Sequence, residues 1–581
     1  MNLKPLPIGV DNFKDIRLNN YYYVDKTLLI KDILDSKAKV NLFTRPRRFG
    51  KTLNISMIQY FFENGKGDNS YLFNKLNIMN EGEKYKSHMG QYPVINLSLK
   101  SAKQPNYELA YDCLVNEIIE EFKRHDYVLN SEKLHYEKED YLNIINKKDN
   151  KGNMVTALKF LSRCLEKYHN KKVIILIDEY DVPIENSYFK GFYNEMIDFL
   201  RSLFESALKT NEYLEFAIMT GCLYANKETP IPNVIGVSDS HKRQAFGSLL
   251  KESIFTGLNN LNIISILNTH YDEYFGFTEN EVSDMLKYYG FEEKEDIIKK
   301  WYNGYLFGEC NVYNPWSVDK FIYDLTGTIN ALPISYWANT SSNSIVKSLI
   351  EKADDDTKAQ IEELVAGKTI EKVIHEDITY ADIDSSMDNL WNFLFFTGYL
   401  KKVSVRMNED NEILITLAIP NEEIRLIYKN TILNWFDEGI KSKDLSKMYE
   451  AMLGGDTLTF ENELVDLLTE SISFYDAYEN FYHGFLLGTL VNLKRYIIKS
   501  NRETGKGRSD IIIKYPNRRG EAVILELKVA KNFKEMSDKC DEALNQIEEK
   551  QYDAELLEEG YTNIVKYGIT FYKKDCMIKK Y

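Results

Sequence analysis

Val40-Asn41-Leu42-Phe43-Thr44, then Arg45-Pro46-Arg47-Arg48-Phe49-Gly50, then Lys51-Thr52 is the stretch on which the fold turns. The first five residues read as a buried strand. Leu53–Phe62 places apolar residues at helical spacing, so Lys51 and Thr52 open a helix. A strand, a turn whose N–H groups converge and a helix N-terminus beneath them form a cradle for phosphates. In such a cradle Lys51 reaches the terminal phosphates and the Thr52 hydroxyl binds Mg²⁺. The pattern G-x-x-x-x-G-K-[ST] is met except at its first position, where Arg45 stands for glycine.

The second half of such a site lies further along. Val173-Ile174-Ile175-Leu176-Ile177 is a short β-branched run, read as a strand buried on both faces. It ends in Asp178-Glu179. An acidic pair at the C-terminal end of a parallel strand sits where ligands bind in such sheets. Asp178 is expected in the Mg²⁺ shell and Glu179 beside the attacking water. The strand Leu214–Thr220 ends in Thr220, placed to sense the terminal phosphate. With Val94–Leu97 as another strand, and helical stretches at Asn106–Tyr168 (broken by a polar loop near Lys147–Asn153) and Tyr193–Lys209, the order predicts an α/β parallel sheet with helices on both faces. ATP is the expected cofactor, with Mg²⁺.

Composition narrows the class. The chain has 581 residues, 44% of them hydrophobic, with 41 tyrosines and a net charge of -15. That charge argues against an all-over nucleic-acid-binding coat but not against a local basic groove. The six cysteines include no C-x-x-C pair, so they predict reduced thiols rather than zinc or disulfides. There is no signal-peptide pattern and no run of about 18 apolar residues. A cytoplasmic protein without a membrane partner is expected.

Tyr224–Leu250, with Pro230, Pro232, Gly236 and Gly247, reads as a long loop or insertion. Residues 260–450 read as mostly helical, with one strand pair near Leu400–Val405 and Ile413–Ile419 and no strand pattern beyond it. Gly454-Gly455-Asp456 reads as a linker. The expected domains are 1–270 around the phosphate site, 271–453 mostly helical, and 454–581 as a second α/β unit. The last runs helix (474–490), strand (510–515), strand (522–529), helix (536–550) and strand (564–571).

That second unit holds another constellation. Asp510 starts one strand and Glu526-Leu527-Lys528 ends the next, across Pro516-Asn517-Arg518-Arg519-Gly520. A symmetric hairpin centred on Arg518 sets Asp510 opposite Glu526, and strand period two puts Lys528 on the face of Glu526. Two carboxylates of this kind suit Mg²⁺ or Mn²⁺. Lys528 would position a metal-bound water or stabilise developing charge. Val523-Ile524-Leu525 and Leu527 are apolar on both faces, so the strand should be buried, and a buried carboxylate needs a partner. Glu479 lies on the preceding helix with His483 one turn on. Gln546, or Gln551-Tyr552, lies within reach on the other side. Lys494, Arg495, Lys499, Arg502, Lys506 and Arg508 precede Asp510 with only Glu503 against them; they form a phosphate-binding lip or a solvated loop.

Two resemblances follow from these residues. Tyr23-Val24-Asp25-Lys26-Thr27, Arg45–Thr52, Asp178-Glu179-Tyr180-Asp181-Val182-Pro183, Lys251–Asn260, Trp301-Tyr302-Asn303-Gly304-Tyr305 and Tyr336–Thr340 resemble the bacterial AAA-ATPase-like family, over about residues 5–430. In that family arginine at the first P-loop position is usual. The family also tends to carry an arginine soon after the sensor strand. Here that place falls on Tyr224 or Ser248, with Arg243 as a substitute inside the insertion. Residues 470–575 resemble the PD-(D/E)XK nuclease superfamily. The resemblance matches Asp510, Glu526 and Lys528 to its core, Glu479 to its first-helix acid, and Gln546 or Gln551 to its glutamine.

Two functional classes are expected to compete. One is an ATPase coupled to a metal-dependent nuclease acting on DNA, in which an oligomer is possible. The other is a nucleotide-dependent signalling switch whose nuclease-fold module binds without cutting. Asp25-Lys26-Thr27 either touches nucleotide or caps a helix. Trp301–Tyr305 and Trp337 are expected in the core and its turns.

Overall fold

The computed structural model describes residues 3–65, 67–147, 151–223, 255, 259–337, 349–350, 353–375, 387–408, 412–441, 444–471, 479–490, 493–504 and 507–581. The Tyr224–Leu250 segment, with Tyr224, Arg243 and Ser248, lies outside the described residues. So do 251–254, 256–258, 338–340 and Lys506. The side chains of Glu479, Arg502, Glu503 and Arg508 also lie outside the description.

The first sheet is parallel throughout. It contains β1 (Val40–Thr44), β2 (Val94–Ser98), β3 (Val173–Asp178), β4 (Leu214–Gly221) and β5 (Leu261–Ile264), in the order β2-β3-β4-β1-β5. Every residue of β1 and β3 is buried, as their unbroken apolar runs require. β4 lies between β1 and β3, pairing Thr44 with Gly221 and Ile177 with Met219. The ends of these three strands therefore meet at one edge of the sheet. Gly50, at φ 82°, caps the Lys51–Phe62 helix, a left-handed position that glycine adopts without strain. After β3 the Val182–Lys190 helix carries Pro183 in its first turn, where the missing N–H costs nothing.

The middle of the chain is rich in helices, but its strands are not confined to the expected pair. β6 (Phe277–Thr278), β7 (Tyr305–Phe307) and β8 (Cys310–Tyr313) form a sheet in the order β6-β8-β7. β9 (Ile370–Val373) joins β10 (Lys401–Met407) and β11 (Ile413–Ala418) in the order β10-β11-β9. β5 to β9 span two to four residues each, too short to show a period-two pattern. The chain falls into two compact units, residues 1–340 with 370–424, and 341–369 with 425–581. Most of 271–424 thus packs with the phosphate-loop sheet, which divides the chain differently from the scheme 1–270, 271–453 and 454–581.

The second unit is built on a mixed sheet of β12 (Ile497–Thr504), β13 (Gly507–Lys514), β14 (Glu521–Val529), β15 (Asn563–Tyr572) and β16 (Asp575–Lys580), hydrogen-bonded in that order. β14 and β15 are parallel, and the remaining neighbours are antiparallel. β12 and β16 escaped the sequence reading. β12 was masked by its basic residues, which sit on an edge strand rather than in a loop. Gly454–Asp456 is a turn inside this unit rather than a linker: Gly455, at φ 82°, caps the Ser446–Gly454 helix before the Thr457–Ser471 helix.

The Met536–Glu549 helix crosses from β14 to β15 and lies on both. Gly568 lets it come close. A Cβ there would collide with the carbonyl oxygen of Cys540 and stand 3.1 Å from Ala543 and Leu544. Gly568 is also the register partner of Glu526. The bare backbone at this point therefore brings the helix, and Gln546 with it, down beside Glu526. Gly568→Ala should cost about 1–3 kcal/mol through overpacking. Chemical denaturation should show it as a lower midpoint; an unchanged midpoint would mean that the helix does not rest on this position.

Candidate functional site

The loop after β1 has the shape of an anion cradle. Arg48 (φ 67°) and Gly50 (φ 82°) are both left-handed, which turns successive N–H groups to one side. Among the described residues, none of the backbone N–H groups of Arg48 to Thr52 donates to a protein acceptor. Lys51 Nζ lies across the loop on the carbonyls of Arg45 (2.9 Å) and Pro46 (3.0 Å).

Two of the expected cradle residues act differently from the sequence reading. The Arg45 side chain is fully buried and points away from the loop's mouth. Its guanidinium donates to the carbonyls of Thr44 (2.9 Å), Ile264 (2.8 Å) and Tyr271 (3.4 Å), and its backbone N–H donates to Gly221. Neither group is left for a phosphate. Phe49 is equally buried, its ring against Tyr305 and Phe307, so only its backbone can face a ligand. Arg48 stacks on Trp316 at 4.1 Å. Arg47 pairs with Glu185 at 2.7 Å, a partner the sequence reading did not identify. Lys26, bonded to Glu281, and Asp25, which accepts from Thr27 and Asn77, are structural.

The acidic end of β3 faces this loop. The Thr52 hydroxyl donates to Asp178 Oδ2 at 2.7 Å. The Thr220 hydroxyl donates to Asp178 Oδ1, and it accepts the Glu179 N–H at 3.4 Å. Thr220 is thus bonded to Asp178 and buried. Glu179 has φ 53°, a conformation that costs free energy and recurs at functional sites. Burial raises its carboxyl, with Asp178 and Asp181 adding to the rise and Lys51 and Lys100 opposing it. Asp181 accepts the N–H groups of Cys222 (2.7 Å) and Leu223 (3.2 Å), tying β3 to the end of β4.

The second constellation assembles around Glu526. The β13–β14 register pairs Ile511 with Leu525, which sets Asp510 across from Glu526. The Asp510 N–H donates to Glu526 Oε2 (3.4 Å), and the Leu527 N–H donates to Asp510 Oδ2 (2.9 Å). Lys528 Nζ lies 3.4 Å from Glu526 Oε1 and donates to Gln546 Oε1 at 2.8 Å. Gln546 Nε2 donates to Glu526 Oε1 and to the Tyr552 hydroxyl (3.0 Å). The structure thus brings Gln546 to the cluster, whereas Gln551 is exposed. His483 Nε2 is 3.1 Å from both the Asp510 carbonyl and Ser500 Oγ. Glu526 is 1% exposed. Burial, then the nearby Asp510 charge, pushes its carboxyl up to about 7, with Lys528 opposing. Two repelling carboxylates of hard oxygen donors fit a divalent cation. Among the described residues they form a pair, and no three acidic, His or Cys side chains gather at one point.

Two stretches of the chain match known families. Residues 7–229 match the model of a family described as predicted AAA-ATPase, and residues 477–581 match that of the PD-(D/E)XK nuclease superfamily. The chain therefore carries an AAA-ATPase-like domain and a nuclease-superfamily domain. A relative described as an uncharacterized protein in the vnfD 5' region of Azotobacter chroococcum mcd 1 is 26% identical over 326 residues, 55% of this chain and 52% of that one. The chain spans about half the length of that curated relative. A solved STAND (Signal Transduction ATPase with Numerous Domains) protein with a tetratricopeptide repeat sensor from Pyrococcus horikoshii is similar at TM-score 0.24 and 12% identity, over 77% of this chain and 53% of that one. No helix among the described residues is long and apolar enough to cross a membrane, and all six cysteines are free thiols.

The Glu526 shift makes stability depend on pH. Between its ordinary 4.5 and about 7 the unfolded chain is ionised here while the folded chain keeps the proton. The folded state then binds more protons, so this group's contribution to stability falls as pH rises through that window. With a chelator present, Glu526→Gln should remove that fall. Its stability relative to wild type should improve by on the order of 1–3 kcal/mol between about pH 5 and pH 8. A difference that stays flat over that range would show that Glu526 ionises normally.

Proposed function

We propose that the chain is a nucleotide-controlled nuclease: ATP bound at the loop after β1 gates or powers metal-dependent hydrolysis of DNA phosphodiesters at Asp510, Glu526 and Lys528. The observation that carries this reading is the Glu526 network, in which a buried carboxylate, its facing Asp510, Lys528 and Gln546 meet at one strand end. A solvated surface hairpin would have no reason to bury Glu526 or to enclose it with Lys528 and Gln546.

At the nucleotide site the N–H groups of Arg48 to Thr52 would receive phosphate oxygens. Lys51 would exchange the carbonyls of Arg45 and Pro46 for the terminal phosphates. Thr52 and Asp178, already bonded to each other, would hold Mg²⁺. Glu179 would accept the proton of the attacking water. At the nuclease site Asp510 and Glu526 would hold Mg²⁺ or Mn²⁺, which when bound lowers the pKa of water and polarises the phosphodiester. Lys528, fixed between Glu526 and Gln546, would orient that water and stabilise charge on the phosphate. The nuclease-superfamily resemblance would add Glu479, at the start of the Glu479–Leu490 helix, as a further acid.

A second reading is a nucleotide-binding switch with little turnover, and one observation favours it. The Thr220 hydroxyl, expected to sense the terminal phosphate, donates instead to Asp178. Cleavage assays on plasmid, linear and single-stranded DNA, with Mg²⁺ or Mn²⁺ and with ATP or a non-hydrolysable analogue, separate the two. The nuclease reading expects metal-dependent cutting that falls at least about a hundredfold in Lys528→Ala and loses its nucleotide dependence in Lys51→Ala. Tight ATP binding without cutting or phosphate release would favour the switch.

A further inference from the structure

Phosphoryl transfer needs a positive group on the terminal phosphate as charge builds there. The loop after β1 holds three arginines, and the structure sends them in three directions. Arg45 is buried among carbonyls. Arg48 lies on the face of Trp316. Arg47 crosses to Glu185, with Nη2 2.9 and 2.7 Å from the two carboxylate oxygens. Glu185 belongs to the Val182–Lys190 helix, which begins just past Asp178 and Glu179. The guanidinium therefore joins the phosphate loop to the helix that follows the acidic end of β3. A nucleotide seated on the loop would place its terminal phosphate in the gap between the loop and that strand end.

We propose that Arg47 is the charge-neutralising arginine of this nucleotide site, parked on Glu185 until a nucleoside triphosphate brings its terminal phosphate into the gap. This rests on the nucleotide-binding reading above. The surroundings of Cys222 support the placement. Its Sγ is 3.7 Å from Lys51 Nζ, and the charges acting on this thiol are, in order, those of Lys51, Asp181, Arg47 and Glu185. The charges of Lys51 and Arg47 thus both act at Cys222. The exchange is feasible because Glu185 is not abandoned when Arg47 leaves. It is 7% exposed, and Lys103, at the end of the Lys100–Ala102 turn after β2, is a second positive charge acting on it. In the step itself the water oxygen bonds to the γ-phosphorus as the bond to the β–γ bridging oxygen breaks. ADP leaves with that electron pair, Glu179 takes a water proton, and Arg47 donates to the γ-oxygens throughout.

The test measures turnover by phosphate release, and affinities for ADP and for a non-hydrolysable ATP analogue, on the full chain. Arg47→Ala also removes a charge that acts on Glu185, so the informative variant is Arg47→Ala/Glu185→Gln, with Glu185→Gln and Arg47→Lys beside it. The double variant should keep ADP affinity within about threefold while losing analogue affinity about tenfold and turnover by two to three powers of ten. Glu185→Gln alone, with Arg47 released, should bind the analogue at least as tightly as wild type. Arg47→Lys should restore part of the analogue affinity, because it returns the charge without the fork. If wild type prefers the analogue over ADP and the double variant keeps that preference and turnover, Arg47 does not touch the terminal phosphate and the inference falls alone. If wild type binds neither nucleotide, the nucleotide reading falls and takes the inference with it.

Discussion

A guanidinium buried on carbonyl oxygens governs the first unit. Removing a charge from water is expensive, and burial pushes Arg45 down to about 9, which still leaves it protonated at neutral pH. The compensation comes from the carbonyls of Thr44, Ile264 and Tyr271, and from the rings of Phe275 and Phe307, each 5.2 Å from the guanidinium. Its backbone N–H adds Gly221. One residue thus ties the end of β1 to β4, to β5 and to the chain beyond β5. A glycine would let the chain turn here, but it could not hold these strand ends together. With its base fixed in this way, the loop can leave the N–H groups of Arg48 to Thr52 open.

The same unit explains why the middle of the chain belongs with the phosphate loop. Trp337 is buried and stacks on Tyr399 at 5.2 Å, and its backbone N–H donates to Glu423 at 2.9 Å. Glu423 also accepts from the Ser317 hydroxyl, and burial pushes its carboxyl up to about 7. The stacked Arg48–Trp316 pair, one residue before Ser317, belongs to the same neighbourhood, where the Arg48 charge acts on Glu423. The aromatic motifs of this region are therefore packing residues behind the loop rather than platforms for a ligand.

Acidic groups in the two units are treated in opposite ways. Asp178 is buried but accepts hydrogen bonds from two hydroxyls. Glu526 is buried beside a second carboxylate, and one amide and one lysine only partly offset the cost. The first arrangement would offer a magnesium ion a preorganised ligand. The second is an unstable pair of charges that a divalent cation would relieve, which is why metal and proton are expected to compete there.

Much of this was legible in the chain itself. Val40–Thr44 and Val173–Ile177 announce parallel strands because burial on both faces demands unbroken apolar runs. The turn residues Pro516–Gly520, centred on Arg518, place Asp510 opposite Glu526 because hairpin symmetry leaves one register. These are local constraints, carried by neighbours in sequence. The inward turn of Arg45, the Arg47–Glu185 pair, the choice of Gln546 over Gln551 and the closeness that Gly568 permits were not legible. Each depends on which distant backbone comes within a few ångströms, and a side chain's identity does not say whether it will meet a phosphate, a carbonyl or a carboxylate. The sequence alone determined the strands that carry both proposed sites and the chemistry available at their ends. The tertiary structure decided which of those groups face the ligand and which are used up holding the frame, because only packing sets the distances on which hydrogen bonds and charge interactions depend.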